Sequence, residues 1–406
     1  MLNILIALVV IKNLWSIVLS LANLVYSTNR KAKVPEVFSD VIDLEIFEKN
    51  KHYTKDKMLM SVLSTAVNLL VLLWLILKGV PEIENIAKSI SENIFIQSLL
   101  FFGLLGIIQF IMDMPFDVYS TFVLEQKYGF NTTTPKTFLM DILKSLILTV
   151  TFGTPIILIL MWFLIKFETW WWQASIFGIA VTFFYSYISP ILIAPLFNKF
   201  KELEDIELKD KIKTLLEKAK VKIPKIYVVD ASKRTKKQNA YVTGFGTSRR
   251  LVLFDNLLSY PKEEILSVIA HELGHHEKRH IPKLMFVSAL YEVFVLFLMN
   301  QLYKIFSSTK PGISQPYAVF FYCSLFVVSI VFFLTPLMNY MNRKLEYEAD
   351  KYSAELIGSS KPLMNALKRL IKENLTSLSP LPLYKTWYYS HPAPEERINK
   401  LSKLEK

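Results

Sequence analysis

The sequence is short of three things, and each shortage excludes a class of protein. One cysteine, Cys323, stands among 406 residues, which rules out an internal disulfide and a cysteine-based zinc module. Eleven glycines are too few for a collagen-like or glycine-rich chain. Polarity is lacking too: 52% of the residues are hydrophobic and 14% aromatic, so the chain is not disordered. A net charge of +12 leaves nucleic acid or an anionic membrane surface as partners, and the placement of that charge decides between them.

Seven apolar stretches are long enough, or nearly so, to cross a bilayer, which takes about 20 helical residues. They are Leu2–Val25, Met58–Leu77, Ile94–Met112, Phe138–Phe167, Trp170–Leu196, Leu284–Phe306 and Tyr317–Asn339. Lysine and arginine gather between them: 7 in residues 26–57, 19 in 198–283 and 12 in 343–406. The loops around residues 80–93, 166–169 and 307–316 are nearly free of them. By the positive-inside rule the N-terminus lies outside and the basic segments face the cytoplasm. The charge therefore reads as membrane orientation, with the lipid bilayer as partner and no nucleic acid. The first stretch does not read as a signal peptide, because no basic residue precedes it and Arg30, Lys31 and Lys33 follow it.

This divides the chain into a membrane region with five spans (1–197), a soluble segment (198–283), two further spans (284–339) and a C-terminal cytoplasmic segment (340–406). In the soluble segment, periodicity predicts a helix over Leu203–Lys220 and strands at Ile226–Val229, Ala240–Phe245 and Leu251–Phe254. The last two strands read as a hairpin turning at Gly246-Thr247-Ser248. A helix over Lys262–Arg279 follows. Mid-span Glu292 is costly in lipid and should face a polar interior, and Asp141 and Lys144 read as an intrahelical pair.

The chemistry sits in His271-Glu272-Leu273-Gly274-His275. At 100° per residue the two histidines lie 40° apart on one helical face, so both imidazoles can reach one ion. Glu272 is near enough to act on a metal-bound water without occupying a ligand position. His276 and His280 point 140° and 180° away and read as surface residues. A catalytic zinc needs a third ligand and one position open for water. The last two spans are antiparallel neighbours, so the chain before the first and the chain after the second meet on one membrane side. That brings Glu346-Tyr347-Glu348-Ala349-Asp350 to the histidines. Glu346 and Asp350 share a face: Glu346 supplies the ligand, and Asp350 can accept the spare N–H of a ligand histidine. Glu348 lies about 160° away.

With these residues in view, the chain resembles the type 1 CAAX prenyl proteases, integral-membrane zinc endopeptidases with seven spans. The likeness is carried by Glu125-Gln-Lys-Tyr-Gly-Phe-Asn131, Ser232-Lys-Arg with Asn239-Ala-Tyr, Leu251-Val-Leu-Phe-Asp255, His271–His275, Arg343 with Glu346–Asp350, and Ser390-His-Pro followed by Arg397. It departs at His276, where such proteins often carry an aromatic residue. The resemblance implies one zinc per chain on His271, His275 and Glu346, with Glu272 as catalytic base. It also implies a chamber enclosed by the helices, with a small α/β gluzincin-like metalloprotease segment on the cytoplasmic side. In that frame His391 can stabilise an oxyanion. Asp350, Arg343 and Arg397 form a supporting layer behind the ligands, with Arg397 structural. Asn239, Ala240 and Tyr241 begin a strand whose edge can pair with an extended peptide.

The implied reaction is hydrolysis after a prenylated cysteine, releasing the three residues beyond it. Two other readings are carried. Val34-Pro-Glu-Val-Phe and Thr134-Pro-Lys-Thr-Phe138 look prokaryotic, which favours a plasma membrane over the endoplasmic reticulum and raises a quality-control peptidase acting on unprenylated proteins. A transporter with a structural zinc would instead need a fourth protein ligand, from His276, His280 or His391.

Overall fold

The computed structural model describes residues 1–29, 33–221, 225–244, 249–309 and 315–405. Arg30, Lys31, Phe245 and the turn at Gly246-Thr247-Ser248 lie outside the described residues. Among the described residues, seven helical stretches are long and apolar enough to cross a membrane: Leu2–Thr28, Leu44–Ile90, Ile94–Lys127, Pro135–Lys166, Trp170–Phe197, His280–Ser307 and Pro316–Ile357. Six of the seven expected spans fall inside them, and Phe138–Phe167 overruns its helix by one residue, because the chain turns extended at Phe167. Most run further than apolarity alone predicts, because amphipathic extensions continue the helix beyond the apolar run. The second begins at Leu44 rather than near Met58, where Asp43 caps it by accepting a hydrogen bond from the Ile46 N–H at 2.8 Å.

The spans form walls, not a solid bundle. Pro135–Lys166 and Trp170–Phe197 bury only 6% of their most apolar window, and His280–Ser307 buries none of it. A Cβ built on Gly103, Gly106 or Gly153 would meet nothing within 4 Å. The ends far from the basic segments are tied together by one apolar core that includes Leu5, Ile76, Phe101, Trp170, Tyr317 and Tyr322. This is the enclosing architecture expected. Glu292 lies against Gly178, so closely that a Cβ at Gly178 would collide with its carboxylate.

The soluble segment carries a four-stranded sheet in the order β1-β2-β4-β3: β1 (Phe200–Glu202), β2 (Ile226–Val229), β3 (Ala240–Thr243) and β4 (Arg250–Phe254). β2 and β4 are parallel, while β1 and β3 pair antiparallel at the two edges. β1 escaped the sequence reading, since three residues show no alternation. An apolar core joins the sheet to the helices Ile206–Lys218 and Lys262–Glu277.

Contacts from the membrane region fix this segment. Arg234 grips Asp141 with two hydrogen bonds, 2.8 and 2.9 Å. Asp141 is therefore not mainly Lys144's partner as its spacing suggested: Lys144 stands 3.9 Å from it and donates to the Leu196 carbonyl at 2.8 Å. The Glu125–Asn131 turn holds the chain entering β3. Asn131 bridges Thr235, the Lys236 N–H donates to the Phe130 carbonyl at 3.0 Å, and Glu125 pairs with Lys237 at 2.8 Å.

Candidate metal centre

Two helices build the centre. We label Lys262–Glu277 helix A and Thr335–Ile357 helix B. They touch where Gly274 meets Ala349: a Cβ on Gly274 would lie 3.0 Å from the Ala349 Cα and 3.1 Å from its carbonyl oxygen. A methyl group there would fit only if helix B gave way by a few tenths of an ångström, so the two backbones lie close together at this point. That approach carries Glu346 and Asp350 onto the histidine face of helix A.

The ligand candidates converge. The Nε2 atoms of His271 and His275 are 3.2 Å apart. Glu346 Oε2 lies 3.4 Å from His271 Nε2, and Glu346 Oε1 lies 3.3 Å from His275 Nε2. Among the described residues these three form the one histidine–carboxylate group able to hold a metal ion. Ligand atoms about 2.0–2.1 Å from a tetrahedral ion would sit about 3.3 Å from one another, and the observed separations match. Glu346 Oε2 is buried and faced by nitrogens, His391 Nδ1 at 2.9 Å and His271 Nε2 at 3.4 Å, so its charge is met here by imidazoles that could share it with a cation. The site fits a metal.

His271 is supported directly. Its Nδ1 lies 2.8 Å from Asp350 Oδ1, and Arg397 grips Asp350 at 2.7 and 2.6 Å. Burial and Arg397 depress the basicity of His271, but the Asp350 and Glu346 carboxylates outweigh them and raise its pKa to about 9. In the metal-free chain this imidazole therefore holds a proton that a cation must displace.

The other expected residues are placed as follows. Glu272 is half-buried beside His271. His391 brings Nδ1 to 2.9 Å from Glu346 Oε2, with its ring exposed. Arg343 is not behind the ligands. It donates to the carbonyls of Tyr389 at 2.7 Å and Lys385 at 3.4 Å, so it anchors the chain leading to His391. Asn239 precedes β3, the strand at one edge of the sheet, and Ala240 and Tyr241 begin it; the Asn239 carbonyl accepts from the Phe254 N–H at 3.0 Å.

His280 corrects the sequence reading. It is fully buried, not on the surface. Its Nδ1 is 3.0 Å from His275 Nδ1 and its Nε2 is 3.2 Å from Glu348 Oε2. Helix A ends at Glu277, and Arg279 adopts a left-handed φ of 54° before the next helix starts at His280. Counting 100° per residue across that break assigns His280 to the wrong side. His276 is half-buried, and its Nδ1 has no hydrogen-bond partner.

Seven spans with a histidine–glutamate cluster at the end of the last pair define an integral-membrane metallopeptidase. Comparison with known proteins gives the family. Residues 22–199 match the family described as CAAX prenyl protease N-terminal, five membrane helices, and residues 202–405 match peptidase family M48. CAAX prenyl protease 1 of Saccharomyces cerevisiae is 34% identical over 93% of this chain and 90% of its own length. The CAAX prenyl protease 1 homolog of Arabidopsis thaliana is 32% identical over 90% and 89%. A crystal structure of S. mikatae Ste24p superposes with a TM-score of 0.91 at 33% identity, covering 98% of both chains. The chain belongs to peptidase family M48 and is a membrane metalloendopeptidase of the CAAX prenyl protease type. The transporter reading is set aside.

Proposed function

We propose that the chain is a zinc endopeptidase that cleaves after a prenylated C-terminal cysteine and releases the three residues beyond it. The observation that carries this reading is the convergence of His271, His275 and Glu346 at 3.2–3.4 Å. Two imidazoles and a carboxylate suit zinc, and three ligands leave a fourth position to water or substrate. When bound, the ion polarises the scissile carbonyl and lowers the pKa of a water toward neutrality.

Glu272 takes the proton of the attacking water and returns it to the leaving amine. His391, exposed beside Glu346, donates a hydrogen bond to the oxygen that gains charge in the transition state. Asp350, held by Arg397, keeps His271 turned toward the ion. The edge of β3 at Asn239, Ala240 and Tyr241 receives the substrate as an additional strand, so main-chain groups set its register. The basic segments support a site on the cytoplasmic side, in a prokaryotic plasma membrane by the sequence phrases noted above, or in the endoplasmic reticulum of a eukaryote.

The test is incubation of the purified chain with prenylated and unprenylated versions of one peptide, with and without chelator. Chelator-sensitive cleavage confined to the prenylated peptide is expected. Equal cleavage of both would replace this substrate with the quality-control reading.

A further inference from the structure

His280 and Glu348 take no part in the reaction above, yet they are built around it. His280 has no exposed surface, and each ring nitrogen meets one polar atom: His275 Nδ1 at 3.0 Å and Glu348 Oε2 at 3.2 Å. Glu348 comes from helix B, two residues past Glu346 and on its other side. Three groups from three helices therefore stand in a row that ends at a ligand candidate.

The proton count along this row has one solution. His275 turns Nε2 toward Glu346 and His271. To bind a cation there as neutral imidazole, it must keep its single proton on Nδ1. That N–H can only donate to His280 Nδ1, which must then be a bare acceptor. His280 consequently carries its own proton on Nε2 and donates it to Glu348, an acceptor whenever ionised. With His275 Nε2 given to a cation, a proton on His280 Nδ1 would oppose two N–H groups at 3.0 Å.

We propose that His280 and Glu348 are positioning residues that lock His275 in the Nδ1–H tautomer. They do through an intervening imidazole what Asp350 does directly for His271. The left-handed Arg279 turns His280 back toward helix A, so the row begins at the first residue of the sixth membrane-spanning helix.

The proposal rests on the metal reading of the His271, His275 and Glu346 cluster, and the experiment separates the two. Full-length chain in detergent is stripped and titrated with zinc against a chromophoric chelator. The spectrum of the cobalt-loaded form and the melting midpoint of the metal-free form are also recorded. His280→Leu removes both hydrogen bonds and should weaken zinc binding about 10–100-fold and alter the cobalt spectrum. His280→Gln offers one acceptor and one donor and should remain within about threefold of wild type if the row works by hydrogen bonding. Glu348→Leu should weaken zinc binding about tenfold or more without lowering the metal-free midpoint, since Glu348 is partly exposed. If His280→Leu does not fold, Glu348→Leu decides alone. Wild-type zinc affinity and cobalt spectrum in Glu348→Leu, or a His280→Gln variant as weak as His280→Leu, would overturn the proposal. A wild-type chain that binds no zinc would overturn the metal reading beneath it.

Discussion

The membrane walls and the metal centre solve opposite packing problems. Around Gly103, Gly106 and Gly153 a methyl group would meet nothing, and the fifth and sixth spans have few or no fully buried residues in their most apolar windows. At Gly274 a methyl group would press on the backbone of helix B at 3.0–3.1 Å. A chamber requires helices that stay apart, whereas three ligands at tetrahedral spacing require helices pressed together. Positional precision is concentrated where the chemistry is, and glycine serves both extremes for opposite reasons.

The largest expected effect separates chemistry from packing inside the tight region. Glu272→Gln nearly preserves size and helix propensity, so folding and zinc content should stay at wild-type levels. Cleavage should fall about 10²–10⁴-fold, the usual worth of general acid–base catalysis. Metal analysis beside a cleavage assay checks this, and wild-type turnover with zinc bound would remove Glu272 from the mechanism. His391→Ala should follow, keeping zinc and losing about 10²–10³ in rate, the cost of one oxyanion donor. Zinc lost in proportion to activity would make His391 a ligand instead.

A smaller effect concerns the metal-free centre. The pKa of His271 rises from 6.5 to about 9 on folding. Its charged form therefore stabilises the metal-free fold fully below about pH 6.5, and that contribution disappears as pH rises through about 9. Melting of the chelated chain should show a loss on the order of 2–3 kcal/mol across that window. The zinc-loaded chain should lack this loss, and so should chelated His271→Gln. A flat profile for the chelated wild type would contradict the assignment.

The paired glycines give the mildest contrast. Gly274→Ala should destabilise by about 1–3 kcal/mol, the cost of overpacking, and loosen zinc binding by forcing helices A and B apart. Gly153→Ala should be neutral or stabilising by up to about 1 kcal/mol, because a helix gains from alanine where space is open. Thermal midpoints of the two variants, measured side by side, would undo the comparison if they shifted alike.

Several of these features were legible in the residues alone. Apolar runs placed the spans because lipid leaves a helix no choice but to satisfy its own backbone. The four-residue spacing put His271 and His275 on one face, and the antiparallel last spans brought Glu346 to them. What escaped reading depended on breaks and on distant partners. His280 was misjudged because one left-handed residue, Arg279, resets the helical phase. Asp141 was matched to a neighbour three residues away, while its main partner Arg234 lies 93 residues on. Arg343 was placed behind the ligands in the frame of the family resemblance, although its guanidinium serves the Tyr389 and Lys385 carbonyls.

The stretch before the second span has a consequence for how the chain is assembled. Phe38, Ile42 and Phe47 share an apolar core with Leu363, Leu367, Ile398 and Leu401, so residues between the first two spans are completed by residues made roughly 320 positions later. At synthesis rates of about 5–20 residues per second, those side chains wait about 16–60 s for their partners. Throughout that interval an apolar patch stands exposed on a helix whose other half is already held in lipid. The metal centre lies on the far side of the same delay, because helix B is the closing part of the seventh span. The nascent chain can therefore neither bind its ion in full nor cleave anything until the seventh span is made.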